Sequence, residues 1–239
     1  MAGRYALLVL VFVGILFACK SEEQAKPRKP SPTVIIKPKR AVLTREQRTE
    51  LGFPTDMISQ VELAAGAEAE PFFVTDVVHS ANMKGEEGFE SARLAGFSVH
   101  TKRTEELIVS YRASLRAKGY LMFRSQRSYG KLNDIVTVVK GTATYDILKL
   151  QRTEAPNYNL DTKDIVGWLK ERQKDASFVV TGAGPDWLET QFIRPPKNSS
   201  VFAKKIIDFA PDVLGHDQQT VDKVAERMNK MNGFFLVWD

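Results

Sequence analysis

His216 lies four residues after Asp212 and directly before Asp217, in the segment Pro211-Asp212-Val213-Leu214-Gly215-His216-Asp217. An imidazole with two carboxylates at that spacing could ligate a divalent cation, or act as a base oriented by an aspartate. The donor count falls short of a metal site, and the segment reads as a loop that ends a helix. Asp212 has a plainer role open to it, accepting backbone N–H groups in the turn after Pro211. Asp186 is a further carboxylate of interest, placed just after Gly182-Ala183-Gly184-Pro185, where it could cap that turn. Asp186, Asp212, His216 and Asp217 are the catalytic candidates of this chain.

Gly182-Ala183-Gly184 follows an expected strand but runs into Pro185 and a second strand. A dinucleotide fingerprint or a phosphate loop needs a helix N-terminus there to receive phosphate charge, and a phosphate loop also needs its lysine. A hairpin turn with close backbone contacts is the expectation instead, with no cofactor and no bound metal. His79-Ser80 with Lys84 does not have the Ser-x-x-Lys spacing, no Gly-x-Ser-x-Gly elbow occurs, and His100 has no partner evident in the sequence. Trp168, Trp187 and Trp238 all fall on expected core elements, where packing is their default role.

Cys19 is the only cysteine, so no disulfide can form within the chain. It closes Leu16-Phe17-Ala18-Cys19, at the end of a fourteen-residue apolar stretch, Tyr5 to Ala18, behind the single basic residue Arg4. That stretch is too short to span a bilayer core of ~30 Å, which needs about 20 residues, and has the layout of a secretory signal. A small residue before cysteine at the cleavage point resembles the bacterial lipobox, whose cysteine is diacylated and becomes the new N-terminus. The expectation is a signal peptide over 1–18 and a membrane anchor at Cys19. Lys20 after the cysteine, rather than aspartate, resembles lipoproteins sent on to an outer membrane where the host has one.

The basic balance is local. Residues 20–41 carry seven basic residues, from Lys20 to Arg40, against Glu22 and Glu23, an excess equal to the net charge of the whole chain, +5. With Arg4 set aside, everything after Ala41 is net −1. A pI near 9.2 therefore gives no reason to expect nucleic-acid binding by the folded part. Residues 19–41, with Lys26-Pro27-Arg28-Lys29-Pro30-Ser31-Pro32 and Lys37-Pro38-Lys39, read as a flexible basic tether. Beside anionic headgroups each basic residue adds up to ~1 kcal/mol of attraction.

The elements that must position the candidates follow from periodicity. Short helices broken at Leu51-Gly52-Phe53-Pro54 lead to a strand over Glu70 to Val78, and His79 to His100 shows no period and reads as a loop-rich connection. A helix from Thr104 ends at Lys118-Gly119, and strands follow at Tyr120 to Phe123 and Ile135 to Val139. The remainder reads as a strand over Tyr145 to Leu150, a helix capped by Asp161 or Thr162, strands over Ser177 to Thr181 and Asp186 to Ile193, helices after Ser199 or Ser200 and after Thr220, and a strand over Phe234 to Trp238. That order is a split βαβ pattern with one extra helix. The expected fold is α+β, a two-layer sandwich with a largely antiparallel sheet and helices on one face. It comprises an N-terminal α+β region over 42–139 and a C-terminal α+β domain over 140–239, as one domain or two.

Five motifs in the C-terminal part, in order and spacing, carry a resemblance: Tyr145-Asp146-Ile147-Leu148, Asn157-Tyr158-Asn159-Leu160, Gly182-Ala183-Gly184-Pro185-Asp186-Trp187, Phe209-Ala210-Pro211-Asp212-Val213 and Leu236-Val237-Trp238-Asp239. Together they resemble an uncharacterised bacterial family, domain of unknown function 4253, over about residues 140–239. The resemblance implies a shared fold and no known activity. Members commonly have cysteine where Ala210 stands, and a Gln-Gly pair in place of Gly215-His216.

The expected function is a lipid-anchored cell-envelope protein, held to the membrane through Cys19, with a non-catalytic binding role toward an envelope protein or glycan. The alternatives are an envelope hydrolase or metal-dependent enzyme using Asp186, Asp212, His216 or Asp217, and an immunity-like or inhibitor module.

Overall fold

The computed structural model describes residues 41–78, 89–215 and 220–239. Two short helices open it, α1 (Arg45–Leu51) and α2 (Thr55–Ala65). Thr44 and Gln47 form a reciprocal capping box at the start of α1, and Gly52 ends it in the left-handed region at φ 58°. Pro54 then sets the entry to α2, and Arg48 reaches back across the elbow to Glu62 at 2.5 Å. Met57, Ile58, Val61 and Ala65, spaced three and four apart, put the buried stripe of α2 on a sheet.

That sheet has seven strands: β1 (Glu70–Val78), β2 (Phe89–Thr101), β3 (Tyr120–Gln126), β4 (Asp134–Lys140), β5 (Ser177–Ala183), β6 (Trp187–Arg194) and β7 (Phe235–Val237). Their spatial order is β1-β2-β4-β3-β5-β6-β7. Every neighbouring pair is antiparallel except β3 and β5, which run parallel and share the single register pair Arg124↔Gly182. The fold is α+β with a largely antiparallel sheet.

Five further helices cover it: α3 (Thr104–Ala117), α4 (Asp146–Gln151), α5 (Thr162–Arg172), α6 (Ser199–Phe209) and α7 (Val221–Met231). Alternation along the strands sorts them onto two faces. Met122, Val136 and Val138 pack with Phe97, Val99 and the buried sides of α1, α2 and α3. Leu121, Phe123 and Val139, their immediate neighbours in sequence, pack instead with α4, α5, α6 and α7. The helices thus lie on both faces of the sheet rather than on one. Strands with long apolar runs, such as Ile135 to Val139, have two faces to bury, and a single helical layer would leave one of them in water.

Two other expectations are corrected. Tyr145 to Leu150 is not a strand: Asp146–Gln151 forms helix α4, closed by Arg152 in the left-handed region, and the C-terminal half is therefore not a split βαβ unit. Ile147 and Leu148 are both buried against one core, as a helix allows for adjacent residues and an alternating strand does not. Nor is His79 to His100 a loop throughout, because Phe89 to Thr101 is the strand β2. Its Gly96 reads as a breaker in sequence but serves a close approach, since a Cβ there would lie 2.1 Å from the Val138 carbonyl oxygen. The β1–β2 register shifts beside it, between Phe72 and Phe73.

Candidate binding site at the seam of the sheet

The single pair Arg124↔Gly182 makes β3–β5 the weakest joint of the sheet and the place where its two antiparallel parts meet. Arg124 points from β3 to the face that carries α3, and its side chain is only 4% exposed. Across Gly182 it reaches Glu189 of β6, whose side chain is 7% exposed, and its Nη1 donates to Glu189 Oε2. Gly182 leaves the room: a Cβ there would stand 2.8 Å from Glu189 Oε1 and 2.9 Å from the Arg124 carbonyl oxygen.

The rest of the Arg124 guanidinium faces two further carboxylates. Nη2 donates to Glu105 Oε1 at 3.0 Å, from the first turn of α3, and Nε lies 3.1 Å from Asp134 Oδ2 of β4 as an ion-pair contact. Arg127, just beyond β3, donates to Glu189 Oε2 at 3.0 Å while its guanidinium sits over the rings of Phe235 and Tyr129, at 5.1 and 5.6 Å. Burial pushes the Glu189 carboxyl above its ordinary range, against the pull of Arg124 and Arg127. One carboxylate, from β6, thus fixes two guanidinium groups that reach it from β3 and the residue just beyond it, across the seam.

A cavity of about 330 Å³ opens above this cluster, beneath α3. Glu189, Thr181 and Gln191 line it from the sheet, Val109 and Glu105 from α3, and Arg127, Lys230 and Met231 from its other side. Its size lies at the small end of ligand sites. Val109 is 61% exposed, so an apolar group stands open beside fixed charges. The site can recognise polar groups with donors and carboxylates already oriented by their own partners.

Sequence reading missed Arg124 and Glu189. The available signals were a charge directly after the apolar run Tyr120 to Phe123 and another within Trp187 to Phe192. Nothing in either segment indicates that the two meet.

Of the four catalytic candidates, Asp186 and Asp212 lie among the described residues. Asp212 accepts from the Tyr158 hydroxyl at 2.7 Å through Oδ1 and from the Asp239 N–H at 2.9 Å through Oδ2. The hydrogen bond to Asp212 raises the Tyr158 phenol above its usual range. Asp186 is exposed, and its carbonyl accepts the Trp238 N–H at 2.9 Å. His216 and Asp217 lie outside the described residues, as do His79, Ser80 and Lys84. Among the described residues no group of three His, Cys, Asp or Glu could hold a metal ion. His100, without an evident partner in sequence, meets Glu70 at 3.1 Å. Ser98, two residues before it, shares its hydroxyl with Thr137 at 2.7 Å.

Three of the other four motifs converge on the closing residues Trp238 and Asp239. Asn157 donates to the Asp239 carbonyl at 2.7 Å, Asp212 and Asp186 hold the two N–H groups, and Phe209 packs edge-on against Trp238 at 5.9 Å. Gly184 lies so close beneath Trp187 that a Cβ would meet the indole at 2.2 Å. Asn157, Asp186, Phe209 and Asp212 together form a clamp on the end of the chain beyond the last strand.

Fold and seam together define an α+β domain with a preformed charged cavity on its sheet. Residues 135–239 match the model of a family described as a domain of unknown function, DUF4253. No curated protein and no solved structure matches the chain. Among the described residues, no helix is long and apolar enough to cross a membrane.

Proposed function

We propose that the protein is a lipid-anchored component of a bacterial cell envelope, whose folded part binds a protein or glycan of that envelope without converting it. The apolar run Tyr5 to Ala18 ending at Cys19 supports the anchor, and the basic residues of 19–41 support close contact with anionic headgroups. Lys20 favours the outer membrane in a diderm host.

The observation that carries the binding role is the seam cavity, where Glu189 holds Arg124 and Arg127 in fixed positions beside exposed Val109 and Met231. Charges immobilised by their own partners lose little freedom when a ligand arrives, which favours recognition. The hydrolase alternative draws no support from Asp212, both of whose oxygens are engaged within the fold.

Two comparisons test this reading. Fractionation places the wild-type chain in the membrane fraction and Cys19→Ala in the soluble fraction. Recovery of a specific partner from solubilised envelopes is lost in the Arg127→Glu, Lys230→Glu double variant. Membrane retention of Cys19→Ala would overturn the anchor, and unchanged recovery would overturn the assignment of the cavity.

A further inference from the structure

A second cavity, of about 410 Å³, opens at the other end of the same seam. Beyond Arg124↔Gly182 no further register pair joins β3 to β5, and the gap between Tyr120 and Met122 on one strand and Val179 on the other leads down to Ile147 of α4. The walls are mostly apolar, and Ile193, 69% exposed, stands at the mouth.

Arg112 and Arg116, one turn apart on α3, supply the charge of this cavity, and its lining contains no carboxylate. Arg112 Nη2 donates to Gln191 Oε1 at 3.1 Å, but Nη1 is shut off from solvent with no hydrogen-bond partner. Leaving a buried charged donor unsatisfied is costly, so the Arg112 guanidinium is a cation that gains from a negative charge brought near it. Burial, with Arg116 beside it, depresses the Arg112 guanidinium, as expected of a cation lacking a counter-charge.

We propose that this cavity is a binding site for a small carboxylate with an apolar body. The carboxylate would pair with the Arg112 and Arg116 guanidinium groups, and the hydrocarbon would lie against Tyr120, Met122, Val179 and Ile193. A guanidinium edge matches a planar carboxylate, and the apolar walls exclude an anion that is hydrated on every side. This site does not depend on the partner-binding role of the Arg127 cavity, which has its own lining.

Calorimetry on the full chain with sodium octanoate, octanamide and sodium acetate tests it, together with methyl NMR of Val179, Ile193 and Ile147. Octanoate should bind at least about tenfold more tightly than octanamide, acetate should not bind measurably, and the three methyl signals should shift. Arg112→Met should bring octanoate down to the affinity of octanamide. Ile193→Trp, at an exposed position that tolerates bulk, should block octanoate at the mouth while leaving Arg112 in place. Equal affinity for octanoate and octanamide would overturn the proposal, as would octanoate binding that survives both substitutions.

Discussion

The guanidinium of Arg124 on β3 passes over Gly182 of β5 to meet the carboxylate of Glu189 on β6, at the one register pair where the two parts of the sheet are joined. Both side chains are almost fully buried, so neither can be discharged by water if the other is lost. Removing one partner of such a pair costs about 3–5 kcal/mol, whereas replacing both with apolar groups can be nearly neutral. Arg124→Leu and Glu189→Leu should each lower stability by that order, and the double variant should lose less than the sum. Urea unfolding in a double-mutant cycle measures the coupling.

Gly182 and Gly167 should respond to alanine with opposite signs. A methyl at Gly182 meets Glu189 Oε1 and the Arg124 carbonyl within 3 Å, so Gly182→Ala should destabilise by roughly 1–3 kcal/mol through overpacking. At Gly167, exposed on α5, nothing lies within 4 Å of the added carbon. Gly167→Ala should stabilise by about 0.5–1 kcal/mol through helix propensity. Thermal unfolding of the two variants checks both signs.

Two glutamates should give stability opposite dependences on pH. Burial pushes the Glu62 carboxyl up, but the Arg48 guanidinium and the Ala69 N–H outweigh it and leave it below the ordinary 4.5. Its contribution is therefore present above 4.5 and lost as pH falls through the folded value. Glu189 is held above 4.5 by burial, so the folded chain keeps that proton more tightly than the unfolded chain does. Its effect is to lower stability as pH rises from 4.5 through the raised value. Glu62→Gln should flatten the acid side of a stability–pH curve, and Glu189→Gln should remove a decline on the other side. Urea midpoints from about pH 3 to pH 7 read both slopes.

Asp212 should matter to the closing strand. Asp212→Ala removes the acceptor of both the Tyr158 hydroxyl and the Asp239 N–H, a loss of roughly 1–3 kcal/mol. Tyr158→Phe removes only one of those bonds and should cost less. Because Trp238 lies beside the clamp, its fluorescence should report loosening in Asp212→Ala before global unfolding.

Sequence patterning was most readable where caps and periodicity agreed. Asp161, one of two candidates for its helix, and Thr220 at the start of α7 are the observed caps, and Gly52 with Pro54 divides α1 from α2. Short apolar runs such as Ile147-Leu148 fit either period, and burial against α5 and the sheet decides for a helix there. Gly96 misled because a loop glycine and a strand glycine under a close carbonyl look the same in one dimension. The Arg124–Glu189 pair was hidden because it forms only when two strands distant in sequence are set on either side of Gly182.

Photo-crosslinking inside the host cell tests most directly whether the seam is the binding surface. A photoreactive residue placed at Val109 or Met231, both exposed at the Arg127 cavity, should give one discrete adduct with an envelope component. The same residue at Leu63, 84% exposed on α2 away from that cavity, should give none. A discrete adduct from Leu63 with none from Val109 or Met231 would contradict the assignment of the seam.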